Sequence, residues 1–256
     1  MPSLQSISQL RQVLVIVAME VERVALLGDR AVTRRSLGVR IPIVLHELEF
    51  ARCRVSVARS GVGLVNAGIL LAQVIEHRPV DAVILLGVGG ALDERLRPGD
   101  WVVARQILQH DSMLSDDHGS QPMPAGELVL SRPDGEKIDP VMPCDRVLIE
   151  WIRAAFEAAP ESSRICEGTI LSGSEFVGSR RRKSALRARA PDALLVDMEA
   201  AALAQICRRL DIPFVAAKTV ADRADPAESI ATDYISALRT CSRRAQTLLE
   251  SMIQSL

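Results

Sequence analysis

The sequence predicts an α/β protein built on a mixed, mostly parallel central sheet with helices on both faces, a three-layer α/β/α arrangement. Three observations lead there. Short apolar runs rich in Val, Ile and Leu alternate with longer stretches of helical period, the runs lack polar alternation, and no Pro/Gly/Ser-rich linker or internal repeat interrupts the chain between Arg11 and Leu256. Runs of about four to eight apolar residues suit strands covered on both faces, the condition of a parallel sheet wrapped by helices. The chain, 1–256, is therefore read as one domain.

Taken in order, "VLVIVA" at residues 13–18 is a strand that leads into the helical "VERVALLGD". "RVSVARS" and "GLVNAGILLAQVIEH" repeat the pattern, joined by "GVGLVNAG" at 61–68. The position of the third glycine of a dinucleotide fingerprint is Asn66, so this segment reads as a close-packed turn before a helix and a dehydrogenase is disfavoured. "DAVILLG", "DWVVARQIL", "RICEGTILS", "DALLV" and "PFVAAKTV" supply further strands, "EAAALAQICRRL" a helix, and a long helix runs from about Glu228 to the end. Residues 109–143 are polar and proline-rich and read as an irregular loop region, the place for a lid or a partner contact.

Composition removes several classes. Lys plus Arg number 31 against 32 Asp plus Glu, so no overall field attracts a polyanion and nucleic acid is not an expected partner. The basic stretch "SRRRKSALRARA" at 179–190 has no interleaved aromatics and reads as a solvated helix face. The five cysteines lie far apart, with no CxxC pair, which suggests neither a zinc knuckle nor a disulfide framework and suits a reducing compartment. "VLVIVA" is too short for a signal-peptide core or a membrane span. The expectation is a cytoplasmic protein without metal or cofactor.

In open α/β sheets ligands collect at the carboxyl ends of strands, so polar residues just after apolar runs carry the information. Glu20 and Glu22 follow the first run, Gly87, Gly89 and Gly90 a later one, Phe176 follows the glycine turn of "LSGSEFV", and Asp222 and Asp225 follow "PFVAAKTV". "VDMEAAALAQ" at 196–205 sets Asp197 and Glu199 where a buried strand meets a helix. Singly, each has an ordinary reading: Glu22 as a first-turn helix acid, Phe176 as core, Glu199 as a charge at a helix N-terminus, Asp222 as a turn former. Together they bring acids from three strands into one crevice, which a bond cleavage with separate acid and base requires.

"VAMEVERVALL", "ARSGVGLVNAG", "DAVILLGVGGALDERLRPGDWVVA", His110 with Asp111, "LSGSEFV", "LLVDMEAAALAQICRRLDIPFVAAKTVADRAD" and the closing helix together resemble the purine nucleoside phosphorylase superfamily. Within it they look most like the 5′-methylthioadenosine/S-adenosylhomocysteine nucleosidases. The resemblance implies that Glu22 activates water, Asp222 protonates purine N7, Glu199 holds ribose hydroxyls, Met198 packs beside the sugar, Phe176 stacks on the base and the Val177 backbone reads its edge. Val88 and Gly89 lie in the glycine turn beside the sugar. It also implies a nucleoside substrate and a homodimer. On this reading a buried Glu199 is satisfied only when ribose hydroxyls donate to it.

Where phosphate-using relatives place an arginine and a serine, this chain has Leu85 and Val88, so water is the expected nucleophile. The acids are expected to meet around the sugar without a cationic neighbour to welcome inorganic anions. Departures from the family pattern are Lys218 for an arginine, Ala221 for a serine that props the catalytic aspartate, Ser174 for an aspartate, and a long segment at 112–143. The alternatives are a futalosine-type hydrolase, a phosphate-dependent phosphorylase and a non-catalytic nucleoside-binding protein.

Overall fold

The computed structural model describes residues 5–37, 40–50, 52–124, 140–158, 164–224 and 233–255, the last helix by its backbone alone over 233–242. β1 (Gln12–Val17) runs into α1 (Glu20–Leu27), followed by β2 (Thr33–Leu37), β3 (Ile43–Glu49), β4 (Arg54–Arg59), α2 (Leu64–His77) and β5 (Ala82–Ala91). The middle holds β6 (Trp101–Gln109), a hairpin of β7 (Met113–Asp116) and β8 (Gly119–Pro122), β9 (Val141–Pro143) and α3 (Arg146–Ala158). Then come β10 (Ile165–Ser172), α4 (Arg180–Arg189), β11 (Ala193–Asp197), α5 (Ala200–Arg209), β12 (Phe214–Asp222) and α6 (Asp233–Gln254).

Strand order is β11-β10-β6-β12-β5-β1-β4-β3-β2, with β9 on β6. β4, β1, β5 and β12 are parallel, as are β6, β10 and β11, and the two blocks meet antiparallel at β12 and β6. The expected mixed sheet with flanking helices is present. Alternation along the strands sends Leu14, Ile16, Val83 and Leu85 to one face, against Leu70, Leu71 and Val74 of α2 and Leu203 of α5. Val13, Val15, Ile84 and Leu86 face the other way, against Leu26 of α1, Ile149 and Ile152 of α3 and Leu248 of α6. Covering both faces removes any reason for polar alternation, and each aliphatic side chain so buried contributes about 1.5–3 kcal/mol.

The sheet is not open, as the strand-end reasoning assumed. The far end of β5 pairs antiparallel with β11, Gly90 opposite Val196 and Ala91 opposite Leu195, so β5, β12, β6, β10 and β11 close on themselves. β5 manages both roles by its length of 10 residues, its first half lying between β1 and β12. Glycine is needed at the crossing: a Cβ on Gly89 would stand 2.3 Å from Leu195 Cδ2 and 2.8 Å from the Val196 carbonyl oxygen.

Some elements went unread in the sequence, each for a physical reason. Four of the five residues of β2 are exposed, so this edge strand carries no hydrophobic signal. β3 buries His46 and Glu47, the latter held by Arg35 and Arg78, which breaks its apolar pattern. In α3, Leu148, Ile149, Trp151, Ile152 and Ala155 are buried at helical spacing, a signal that was present and passed over. The region 109–143 contains the β7–β8 hairpin and β9; residues 125–139 lie outside the described residues. The last helix is described from Asp233 onward; Glu228, near which its start was expected, lies outside the described residues.

The basic stretch forms α4, whose faces are not all solvated. Lys183 is buried with its Nζ donating to the Arg223 carbonyl at 2.7 Å, and Arg182 pairs with Glu175 at 2.7 Å. No helix among the described residues is long and apolar enough to cross a membrane. Gly89→Ala should force β5 away from β11 at a cost of about 2 kcal/mol, lowering the thermal midpoint by roughly 5 °C, as read by calorimetry.

Candidate active site

The ends of β5, β11 and β12 and the segments that follow β1, β4, β10 and β11 surround a cleft of about 290 Å³. Among its lining residues are Glu22, Val88, Gly89, Phe176, Val177, Met198, Glu199 and Asp222, those assigned substrate-handling roles from the sequence; Glu20 and Gly87 do not line it. The sheet's closure matters here, because it carries the end of β11 across to the ends of β5 and β12.

Glu22 occupies the first turn of α1 and is 3% exposed. Its Oε2 accepts from the backbone N–H groups of Ala18 at 3.0 Å and Met19 at 2.7 Å, and its Oε1 from Val88 N–H at 3.1 Å. Burial pushes its carboxyl above the ordinary value; Lys218 and the amide donors oppose this without cancelling it. Room for the carboxylate comes from Gly87, where a Cβ would lie 2.7 Å from Oε1.

Lys218 was not expected among the acids. It stands in register with Gly87 on the neighbouring strand, is 1% exposed, and its Nζ lies 3.0 Å from Asp197 Oδ2 and 3.2 Å from Glu199 Oε2. Burial alone would lower its basicity, but the fields of Asp197, Glu199 and Glu22 outweigh that and hold the ammonium above its ordinary value. The acids thus have a cationic neighbour, though one already held by two carboxylates, for a plain reason: carboxylates crowded in an apolar seam need a counter-charge. A lysine inside the apolar run "PFVAAKTV" was the available signal, since a buried ammonium implies buried acids.

The account of Glu199 changes with it. Glu199 is 4% exposed, its Oε1 accepts from Gly63 N–H at 3.0 Å and its Oε2 from Lys218, so the protein itself satisfies the carboxylate. Gly63, at φ +102, is the turn residue before α2, and the "GVGLVNAG" turn thereby contributes an amide to the site. Asp197 has a second task, both its oxygens accepting from Ala200 N–H at 3.2 Å at the start of α5.

Asp222 ends β12. A register shift between Val220 and Asp222 leaves Ala221 as an extra residue and sets Asp222 opposite Gly90. Its Oδ1 accepts from Ala224 N–H at 2.6 Å. Ala224 adopts φ +51, a left-handed conformation costing of order 1 kcal/mol or more for alanine. A backbone amide therefore props the aspartate where Ala221 offers no hydroxyl.

Phe176 is 53% exposed at the cleft, which rules out its reading as ordinary core. Val177 is buried behind it and Met198 is half-buried. Glu175, unanticipated, also lines the cleft. Asp111 orients the Phe176 loop by accepting from Ser174 N–H at 2.7 Å. His110 packs against Gly173, where a Cβ would meet Nε2 at 2.5 Å, and burial holds its imidazole below the ordinary value. Asp225 lies outside the described residues. Among the described residues no arginine lines the cleft, and no cluster of His, Cys, Asp and Glu could hold a metal ion.

Fold and site together define a class: a three-layer α/β protein with a partly apolar strand-end cleft whose polar groups are acids set among backbone amides. The chain belongs to the phosphorylase superfamily, whose family model matches residues 12–254. It is similar to the 5′-methylthioadenosine/S-adenosylhomocysteine nucleosidase of Staphylococcus haemolyticus (strain JCSC1435), with 28% identity over 248 residues covering 94% of this chain and 99% of the relative. The crystal structure of the corresponding nucleosidase from Neisseria meningitidis, in complex with methylthio-immucillin-A, has a TM-score of 0.80 at 30% identity, over 96% of this chain and 100% of that one. Futalosine hydrolase of Helicobacter pylori strain 26695 has a TM-score of 0.79 at 23% identity, over 96% and 99%, a likeness of fold alone.

An acid whose folded value is raised holds more protons in the native than in the unfolded chain between the two values. Its contribution to stability therefore declines as pH rises from the ordinary 4.5 through the folded value. Glu22→Gln removes that decline. Relative to the wild type, the variant's thermal midpoint should improve as pH rises above 4.5 and level off once the folded value is passed, as thermal melts at fixed ionic strength would read.

Proposed function

We propose that the chain is an N-ribosyl hydrolase that cleaves the glycosidic bond of a 5′-modified adenine nucleoside such as methylthioadenosine or S-adenosylhomocysteine. One observation carries this reading: Glu22, Glu199 and Asp222, from three separate elements, line a single cleft with half-exposed Phe176 at its side and no arginine among its described lining residues. Its nucleosidase relatives support it.

Phe176 stacks on the base, and Asp222 faces N7. Glu199 keeps lone pairs beyond those used by Gly63 and Lys218, and these accept from the ribose hydroxyls. As the C1′–N9 bond lengthens, the sugar becomes oxocarbenium-like, and carboxylates held in a low-dielectric seam stabilise that charge. Asp222 gives its proton to N7 so that the base leaves neutral. Glu22 takes a proton from water as its oxygen bonds to C1′, and its burial makes it a stronger base than an exposed glutamate.

Water is favoured over phosphate because Lys218, the cation beside Glu22 and Glu199, is already engaged by two carboxylates. A phosphate dianion approaching Glu22 would meet repulsion with no compensating fork of donors. Adenine release from methylthioadenosine in phosphate-free buffer is the expected result. A strict phosphate requirement would instead mark a phosphorylase, release only from futalosine the sister hydrolase, and tight binding without release a nucleoside-binding protein. Asp222→Asn should lower kcat by about 100-fold or more while leaving the affinity for a substrate analogue within a few-fold, as separate turnover and calorimetric titrations would show.

The proposed assembly is a homodimer. Val62, just before α2, and Val65 and Ile69 in its first turns are 45%, 73% and 37% exposed, and Val62 also lines the cleft. A second copy laid on this stripe would wall the 5′ end of the cleft. Val65→Asp should then shift the molar mass by light scattering from two chains toward one and raise KM. The proposed location is the cytoplasm, which suits the free thiols of Cys53, Cys144, Cys166 and Cys207; burial pushes Cys144 up to about 12.

A further inference from the structure

We propose that Lys218 is the positioning residue of the cleft: its ammonium, clamped by Asp197 and Glu199, faces Glu22 across Gly87, keeping Glu22 in its proton-accepting form and Glu199 turned toward the sugar. The inference rests on the hydrolase reading for its catalytic meaning and on geometry alone for its physical content.

Four charged side chains meet in one buried volume. Glu22 comes from α1, Asp197 from the end of β11, Glu199 from the start of α5 and Lys218 from β12; exposures are 3%, 5%, 4% and 1%. A Cβ at Gly87 would stand 2.7 Å from Glu22 Oε1 and 3.4 Å from Lys218 Nζ, so glycine leaves the two side chains adjacent where any other residue would separate them. The turn after β1 and the strand β5 present backbone amides to Glu22, those of Ala18, Met19 and Val88. The fields acting on Glu22 are therefore the attraction of Lys218 and the repulsion of Glu199.

Two consequences follow for the proposed chemistry. A buried glutamate with no cation beside it takes up a proton and can no longer accept one from water. Lys218 opposes that uptake. Because Asp197 and Glu199 share the same ammonium, the strength of its effect on Glu22 depends on them. Removing Lys218 and removing the Asp197 charge should act on Glu22 in opposite directions, whereas a merely structural lysine would give no such opposition.

The experiment follows the Glu22 carboxyl by ¹³C NMR in the full-length chain labelled at glutamate, with the resonance assigned by its loss in Glu22→Gln. Lys218→Met should move the Glu22 midpoint up by about one pH unit or more, Asp197→Asn should move it down, and Lys218→Arg, which keeps the charge, should restore it toward the wild type. The acid limb of kcat/KM against pH should shift in the same directions, with the Lys218→Met loss in kcat partly recovered at higher pH. Unchanged Glu22 midpoints in Lys218→Met and Asp197→Asn would overturn the proposal. If Lys218→Met does not fold, the Asp197→Asn titration decides alone. A wild-type chain that releases base from no nucleoside would sink the hydrolase reading, while the titration still judges Lys218.

Discussion

Charge balance inside the apolar seam is the constraint on which this molecule turns. Each of Glu22, Asp197 and Glu199 is at most 5% exposed, and ionised carboxylates at such depth cost several kcal/mol apiece unless paired. Lys218 answers two of them directly, at 3.0 and 3.2 Å, and acts on the third through the gap at Gly87. Backbone amides of Ala18, Met19, Val88 and Gly63 also donate to Glu22 and Glu199; they are oriented by strand ends and helix starts and need no side-chain ordering.

That balance is possible only because the sheet closes. β11 bends across β5 through Gly89 and Gly90, and this brings "VDMEA" to within reach of a lysine 21 residues further along the chain from Asp197. In an open sheet Lys218 would have no acids and Glu199 no cation. Local irregularities do the finer placement. The extra residue at Ala221 sets Asp222 opposite Gly90, and the left-handed Ala224 folds its own amide onto the aspartate. Strain stored beside a reactive group is the usual companion of a preorganised site.

Hydrolysis fits this electrostatic layout better than transfer to an inorganic anion. The cluster formed by one ammonium and three carboxylates has no surplus positive charge, so it suits a neutral nucleophile and a cationic sugar. Asp222 stands apart from that cluster, half-buried at the cleft with its Oδ1 on the Ala224 amide. On the proposed reading, the acid for the base and the base for the water thus occupy different surroundings, the separation that one cleft needs to run both proton transfers.

Much of this was written in linear form. Continuous apolar runs announced buried strands, since a sheet covered on both faces has no wet side to record, and the acids after those runs marked the cleft because strand ends are where side chains escape the core. Glu22, Glu199 and Asp222 were readable for that reason, as was Phe176 after its glycine turn. β2 was not, since an exposed edge strand leaves no hydrophobic trace, nor was β3, whose buried His46 and Glu47 break its pattern. Only the folded chain decided that Glu199 is satisfied by Lys218 and the Gly63 amide, and that Ala224 props Asp222. The Glu199 contacts join residues as far as 136 positions apart, and such through-space pairing has no period or spacing for a sequence to display; the Ala224 prop is local but depends on a left-handed φ that an alanine does not announce.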